Sequence, residues 1–356
     1  MNEPHATSKH TLCGYAWCDV TNALIRAIGT ADNARAQRWA AELVCSELGL
    51  GRLEATLLEA WAIHVCSANP GWPRTWYNSI SQIRSLWSKT KGDTKAIRNT
   101  PLVRQLVAEA VAALVLSAKK PLPTLPTSND CFREAEAMRT RLRAGGGVGD
   151  QQITRRIWAE GQDGADLKTI GNEFEAALKS NQISRMLFWV IWMFTLETQT
   201  EAPPAKERGP AYLSTKQRKS LIWFLVILLR ELANDSVFLS VEERNGMWGV
   251  LELTWNKLGT KGRRHVVVAM SICIQDHLQR KASLTLGTPA TPNLNTIRNA
   301  TSTIDNIYST IAEESRRFLL EKPEITGISA DVTVKEKKSF SSLDKMNIAF
   351  SMLRNS

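Results

Sequence analysis

Apolar residues recur three and four positions apart along most of the chain, the spacing of amphipathic helices. Leu24, Ala27 and Ile28 begin one such stripe, and Ala36, Trp39, Ala40, Leu43 and Val44 resume it after the interruption "IGTADN". Asp32 stands where a second helix would take its N-cap, and "ELGLG" offers Gly49 or Gly51 as a stop. Leu53 to Val65 predicts a further helix. "NPGWPRTW", Asn69 to Trp76, breaks the pattern with two prolines and a glycine. Helix is expected to resume near Thr75, with Ile80, Ile83, Leu86 and Trp87 on its apolar face. Lys89 to Thr100 reads as a charged loop, and "LVRQLVAEAVAALVLSA" after Pro101 reads as a buried helix.

The second half replays this order. Helices are expected over Asn172–Lys179, Ser184–Leu196, Ser214–Ala233, Val241–Leu258 and Arg263–Gln279. "NALIRAIGTADNARAQRW" and "NEFEAALKSNQISRMLFW" both begin with Asn and reach Trp 17 residues later. At an offset of 150, Ala27 matches Ala177, Arg35 matches Arg185 and Trp39 matches Trp189. Leu24 and Ile28 correspond to Phe174 and Leu178, which preserves the apolar i, i+4 stripe. "WSKTKGDTK" and "WNKLGTK" are each Trp-x-Lys followed by a glycine turn and a lysine, and each precedes an apolar helix. The pattern predicts an all-α protein built as an internal duplication, two related helical-bundle repeats in tandem.

The expected division is a flexible N-terminus over 1–11, repeat 1 over 12–118 and repeat 2 over 151–281. The 119–150 stretch between them carries the proline-rich "KKPLPTLPTSND", a basic helix over Phe132 to Arg143, and the glycine joint "AGGGVGD". A further proline-rich loop, "EAPPAKERGP", separates two apolar runs. A long amphipathic helix is expected within 295–322. Its seam is Ile297, Ala300, Ile304, Ile307, Ile311 and Phe318. Such a seam either packs on the chain's own repeats or takes a protein partner, for which Ile304, Ile307, Ile311 and Phe318 are the candidates. In the 323–356 tail, Ile328, Ala330, Val332 and Val334 alternate as in a strand.

Composition then narrows the chemistry. The 356 residues carry a formal charge of +10, which favours nucleic acid, acidic protein or an anionic surface as partner. None of the six cysteines forms a C-x-x-C pair, so reduced core thiols in a cytoplasmic or nuclear compartment are expected. "MNEPHATSKHTLC" has no signal-peptide apolar core. The runs "MLFWVIWMFTL" and "LIWFLVILL" fall short of the ~20 residues of a membrane span and read as core helices. Twelve tryptophans point to helix contacts anchored by indole rings. There is no G-x-x-x-x-G-K-[ST], H-E-x-x-H or G-x-S-x-G motif, and the histidines lack companions at metal-ligand spacing. No catalytic, cofactor-binding or metal residue is assigned, and the expectation is a non-catalytic protein.

The charge is gathered at equivalent places. Lys89, Lys91, Lys95 and Arg98 crowd the first Trp-Lys loop; Lys257, Lys261, Arg263 and Arg264 crowd the second. Repeats in register would set these loops along one basic strip able to neutralise phosphates without reading base sequence. A third cluster is Arg133, Arg139, Arg141 and Arg143 with Arg155 and Arg156; a fourth is Lys216, Arg218 and Lys219. Trp72 and Trp76 either stack on bases or wedge their turn against the core.

Trp39, Leu53, Leu57 and the Ala68-Asn69-Pro70 break carry a resemblance to the helical C-terminal, collar-like region of clamp-loader-like AAA+ ATPases. The ATPase module itself is missing, so the resemblance implies subunit-holding helices and no nucleotide activity. "IRNTPLVRQLVAEAVAALVLSAKKPLPTLP" with "NEFEAAL" resembles helical proteins of large nucleocytoplasmic DNA viruses, which implies a viral or protist origin. The expectation drawn from all of this is a helical scaffold or accessory protein of DNA replication or repair, whose basic loops touch nucleic acid. The alternative is a structural protein of a virion or other assembly, acting through protein contacts.

Overall fold

The computed structural model describes residues 10–46, 49–127, 152–199, 202–234, 240–280 and 292–321. The protein is all-α: the described residues form helices and connecting turns, with no strand beyond one isolated bridge between His10 and Ala16. In chain order the helices are α1 (Trp17–Gly29), α2 (Asn33–Cys45), α3 (Gly49–His64), α4 (Trp72–Lys89), α5 (Thr94–Arg98) and α6 (Pro101–Leu116). They continue as α7 (Gln152–Ile157), α8 (Ala165–Lys179), α9 (Ile183–Glu197), α10 (Thr215–Arg218) and α11 (Ile222–Asn234). The last are α12 (Val241–Thr254), α13 (Thr260–Arg280), α14 (Leu294–Ala300) and α15 (Ile304–Glu321). The proposed basic helix over 132–143, the glycine joint and the alternating tail lie outside the described residues.

Local chemistry sets the boundaries. The Asp32 carboxylate accepts from the Arg35 amide at 3.1 Å and opens α2, as expected of an N-cap. Ser240 and Glu243 form a reciprocal capping box at the start of α12. Other boundaries depart from the sequence reading. Helix α4 starts at Trp72 rather than near Thr75, because Pro73 falls in a first turn that has no intrahelical use for its missing N–H. The expected loop over 89–100 contains α5, nucleated by Asp93, whose carboxylate accepts from the Lys95 and Ala96 amides. The helix expected over 214–233 is divided. The Arg218 carbonyl accepts from the Arg208 and Gly209 amides at 2.9 and 3.2 Å, which draws it out of the helical ladder. The long C-terminal helix is likewise two. The hydroxyls of Thr301 and Ser302 bond back to the Arg298 and Asn299 carbonyls and close α14.

The chain forms two compact units. Among the described residues, unit 1 comprises the chain up to Thr56, Ser81–Leu116 and the segment from Asn293 onward; unit 2 comprises Leu57–Ile80 and Ser117–Pro292. These differ from contiguous repeats at 12–118 and 151–281. The end of α3, the start of α4 and their connection belong with the second half of the chain. Within unit 2, Gly246 of α12 lies against the Arg74 backbone, Gly249 against the Tyr77 ring, and Glu59 bonds His265 at 3.1 Å.

In unit 1, α1 and α2 form a hairpin that packs on α6, and α15 lies on α2 and α6. Trp39, Leu24, Ile28 and Leu43 fill the centre, each 1% exposed or less. Burying such side chains contributes about 1.5–3 kcal/mol each. In unit 2, α8 and α9 form a hairpin that packs on α13, with α11 beside them. Its centre holds Phe174, Phe224, Trp223 and Trp255, the last two with ring centroids 4.4 Å apart.

The two hairpin turns match residue by residue at the offset of 150. Ala31 and Asn181 both take the left-handed conformation, at φ 57° and 59°. Asp32 donates to the Ala27 carbonyl and Gln182 to the Ala177 carbonyl, both at 2.9 Å. Ala31 donates to Ile28 at 3.2 Å, and Asn181 to Leu178 at 3.5 Å. This pair of bonds is the Schellman ending, in which a left-handed residue lets the chain reverse.

A buried ionic cluster ties the unit 1 termini to α2. Arg38, with its side chain 3% exposed, bonds Glu42 at 3.0 Å and also Glu314 of α15. Glu42 further accepts from the Cys13 amide at 2.9 Å and from the Thr11 hydroxyl. Burial alone would raise the Glu42 pKa, but Arg38 and these donors hold it below the usual carboxylate range. Thr11 is therefore fixed, whereas residues 1–9 of the segment expected to be flexible lie outside the described residues.

Candidate nucleic-acid interface

The first Trp-Lys loop belongs to unit 1 and connects α4 to α6. Lys91 and Gly92 take φ of 52° and 79°, which turns the chain sharply after α4. The Trp87 indole covers Gly92 so closely that a Cβ there would meet Nε1 at 3.3 Å. Ile97 is 1% exposed and plugs α5 into the unit. On this frame Lys89, Lys91 and Lys95 are exposed. No carboxylate of the described residues pairs with Lys89 or Lys91. Arg98 plays a different part: half-buried, it donates to the Cys45 carbonyl at 3.3 Å and its own carbonyl accepts from Arg104.

The second loop belongs to unit 2 and connects α12 to α13. Trp255 is buried at 1% exposure, and Leu258 is buried behind it. Lys257 and Lys261 are exposed. Arg263 is not available in the same way. Its guanidinium lies 4.8 Å over the Trp255 ring, and Nε donates to the Trp255 carbonyl at 3.1 Å. Burial pushes its pKa below the ordinary arginine value, with Glu197 opposing. Arg264 is half-buried, and its Nε meets no acceptor among the described residues. Of the eight cations expected to bind, five lysines stand outward, while Arg98 and Arg263 brace the loops. Composition cannot separate these roles. For Arg263 the local signal is its place eight residues after a buried tryptophan, Trp255; Arg98, eleven residues after Trp87, carries no such mark.

Electrostatics distinguish the second loop. Helix α13 runs for 21 residues from Thr260, with Lys261 and Arg263 at its start and no acidic residue in its first turn. A helix N-terminus carries about half a positive charge, so cations there are held against the dipole at about 0.3–1 kcal/mol each. The Glu59 carboxylate of α3 already lies against this turn, with Oε1 3.1 Å from His265 Nδ1 and Oε2 where a Cβ on Gly262 would meet it at 3.1 Å, and it offsets part of this charge.

Trp72 and Trp76 are stacked at 6.0 Å between centroids and are 1% and 0% exposed, so they wedge the turn and offer no face to a base. The seam assigned to a partner faces inward instead. Ile304 and Ile311 are buried, Ile307 and Phe318 are half-buried, and α15 packs on α2 and α6. Apolar side chains with a surface of the same unit within reach bury themselves there first. Arg155 and Arg156 of the third cluster are exposed, while Arg133, Arg139, Arg141 and Arg143 lie outside the described residues. In the fourth, Arg218 is committed to Glu207 and to the Leu213 carbonyl. Among the described residues no group of His, Cys, Asp or Glu is placed to hold a metal ion, and no helix is long and apolar enough to cross a membrane.

The fold and the loops define a class no narrower than an all-α protein of two helical units carrying exposed lysine loops. Comparison with protein-family models, with curated proteins and with solved structures returned no match.

Proposed function

We propose that the protein is a non-catalytic helical scaffold that contacts nucleic acid through its two Trp-Lys loops, as an accessory factor in DNA replication or repair. The observation that carries this reading is the exposure of Lys257 and Lys261 at the start of α13, a helix with no acidic residue in its own first turn. Lys89, Lys91 and Lys95 supply the same chemistry on a loop of different backbone, which contains α5 and turns at left-handed Lys91 and Gly92. Each loop is a contact in its own right, and flexible ammonium groups suit phosphate oxygens better than base edges. The matched hairpin turns support descent of the two halves from one duplicated unit. The resemblance to clamp-loader collars fits a role in holding other subunits. The alternative, an assembly protein joined through the long C-terminal helix and the tail, would have to rely on the 323–356 tail, which lies outside the described residues, because the seam of the helix packs within unit 1.

The test is the salt dependence of binding to a short DNA duplex. The variant carrying Lys89→Ala, Lys91→Ala, Lys257→Ala and Lys261→Ala is expected to bind more weakly. If each lysine neutralises one phosphate, the slope of log K against log salt should flatten by about 3 to 4. Equal affinity and slope in the variant and the parent would refute the assignment.

A further inference from the structure

A cleft of about 640 Å³ opens beside the proline-rich loop of unit 2, lined by Gln162, Pro203, Pro204, Lys206, Glu207 and Lys219, with Ala205 between. Its size falls within the roughly 300–1,000 Å³ of small-molecule sites. Its walls are fixed in an unusual way for a surface loop. Asp163, next to the lining residue Gln162, is a fully buried carboxylate. It accepts from the Ala159 amide at 2.8 Å and from the amide of Lys206 itself at 2.8 Å. Arg208 pairs with both of its oxygens, donates to the Ile157 carbonyl at 2.9 Å and lies 5.1 Å over the Phe224 ring. One carboxylate thus joins the two sides of the cleft. A second clamp closes the far end, where Arg218 bonds Glu207 at 2.9 Å and its carbonyl holds the Arg208 and Gly209 amides. The Gly164 amide donates to the Pro204 carbonyl at 2.9 Å.

These bonds hold the backbone and leave the Lys206 ammonium group unpaired and that of Lys219 only loosely paired. No carboxylate of the described residues pairs with Lys206. Both Arg218 contacts go to Oε2 of Glu207, and Lys219 faces the other oxygen, Oε1, at 4.0 Å, a long and solvent-exposed pairing that a phosphate can displace. Lys206 and Lys219 line the cleft together with the Pro203 and Pro204 rings, so cationic groups outnumber the one lining carboxylate, Glu207, beside apolar surface. A loop ordered in advance loses little entropy when a ligand arrives.

We propose that this cleft binds a small phosphorylated ligand of mononucleotide size, its phosphates between Lys206 and Lys219 and its ring against Pro203 and Pro204. The site is independent of the lysine loops on α4 and α13. Calorimetric titration of the full chain with adenosine diphosphate at low salt is the test, with adenosine as the control. Saturable binding of the diphosphate and none of adenosine over the same range is expected. The Lys206→Ala, Lys219→Ala double variant, whose changes are confined to exposed side chains, should weaken binding at least tenfold. The Lys89, Lys91, Lys257, Lys261 alanine variant should leave it unchanged, which separates this site from the proposed nucleic-acid contact. Asp163→Asn should weaken binding with the helical circular dichroism retained. The proposal is overturned if the diphosphate does not saturate, or if the double variant binds it as the parent does.

Discussion

Replacing Arg38 with Met removes the guanidinium between Glu42 and Glu314 while keeping most of the side-chain volume. The Arg38 and Glu42 side chains are 3% and 0% exposed, so no water replaces the lost cation. Glu42 keeps the Cys13 amide and the Thr11 hydroxyl, which solvate the carboxylate without neutralising it. Removing one partner of such a buried pair costs about 3–5 kcal/mol. The Glu314 arm adds little, because that carboxylate is 23% exposed and water takes over. Adding Glu42→Gln to Arg38→Met removes the stranded charge and keeps an acceptor for Cys13, so the double variant should recover more than half of the loss. The sign with pH follows from the same geometry. In the parent the Glu42 pKa is depressed, so its contribution is complete above the ordinary carboxylate value of about 4.3 and is lost as pH falls through the folded value. In Arg38→Met the desolvated carboxyl titrates above its ordinary value, so the deficit against the parent should narrow as the medium is acidified. Urea unfolding followed by tryptophan emission and helical circular dichroism at pH 7 and pH 4 measures both effects. A deficit below about 1 kcal/mol at pH 7, or one that does not change with pH, would refute the account of the cluster.

Other outcomes follow from the same structure. Gly246→Ala places a Cβ 2.3 Å from the Arg74 Cα, so α12 must move off α4; a loss of about 1–3 kcal/mol in thermal or urea unfolding is expected. Gly259→Ala meets nothing within 4 Å and serves as the near-neutral control in the same assay. Ala31 sits at φ 57°, so Ala31→Gly should stabilise unit 1 by up to about 1 kcal/mol, visible as a raised unfolding midpoint. Burial pushes the Cys45 thiol up to about 12, with Glu42 adding to it. Its neutral form is favoured by folding, so its contribution is whole below the unfolded thiol value of about 8.5 and fades as pH rises toward 12, on the order of 1 kcal/mol per pH unit. Cys45→Ala should flatten that part of an alkaline unfolding profile.

Helical periodicity by itself determined the class of fold and placed most of its helices. A three-and-four stripe such as Leu24, Ala27, Ile28 needs no distant information to specify which face is buried. The echo at an offset of 150 also reached down to geometry, since Ala31 and Asn181 adopt the same left-handed turn. Boundaries were less legible wherever a side chain or remote backbone competed for a helix bond, as the Arg208 and Gly209 amides do at Arg218. Only the tertiary structure decided what each charged or aromatic residue does. Lys261 and Arg263 are two positions apart in one basic run, yet one is exposed and the other covers Trp255, because a guanidinium can lie flat on a buried ring and donate to its backbone at once. The same holds for Asp163 and Arg208, ordinary charges in sequence 45 residues apart. Their pairing stiffens the cleft, and no local pattern encodes it, because burial of an ion pair depends on what the rest of the chain brings around it.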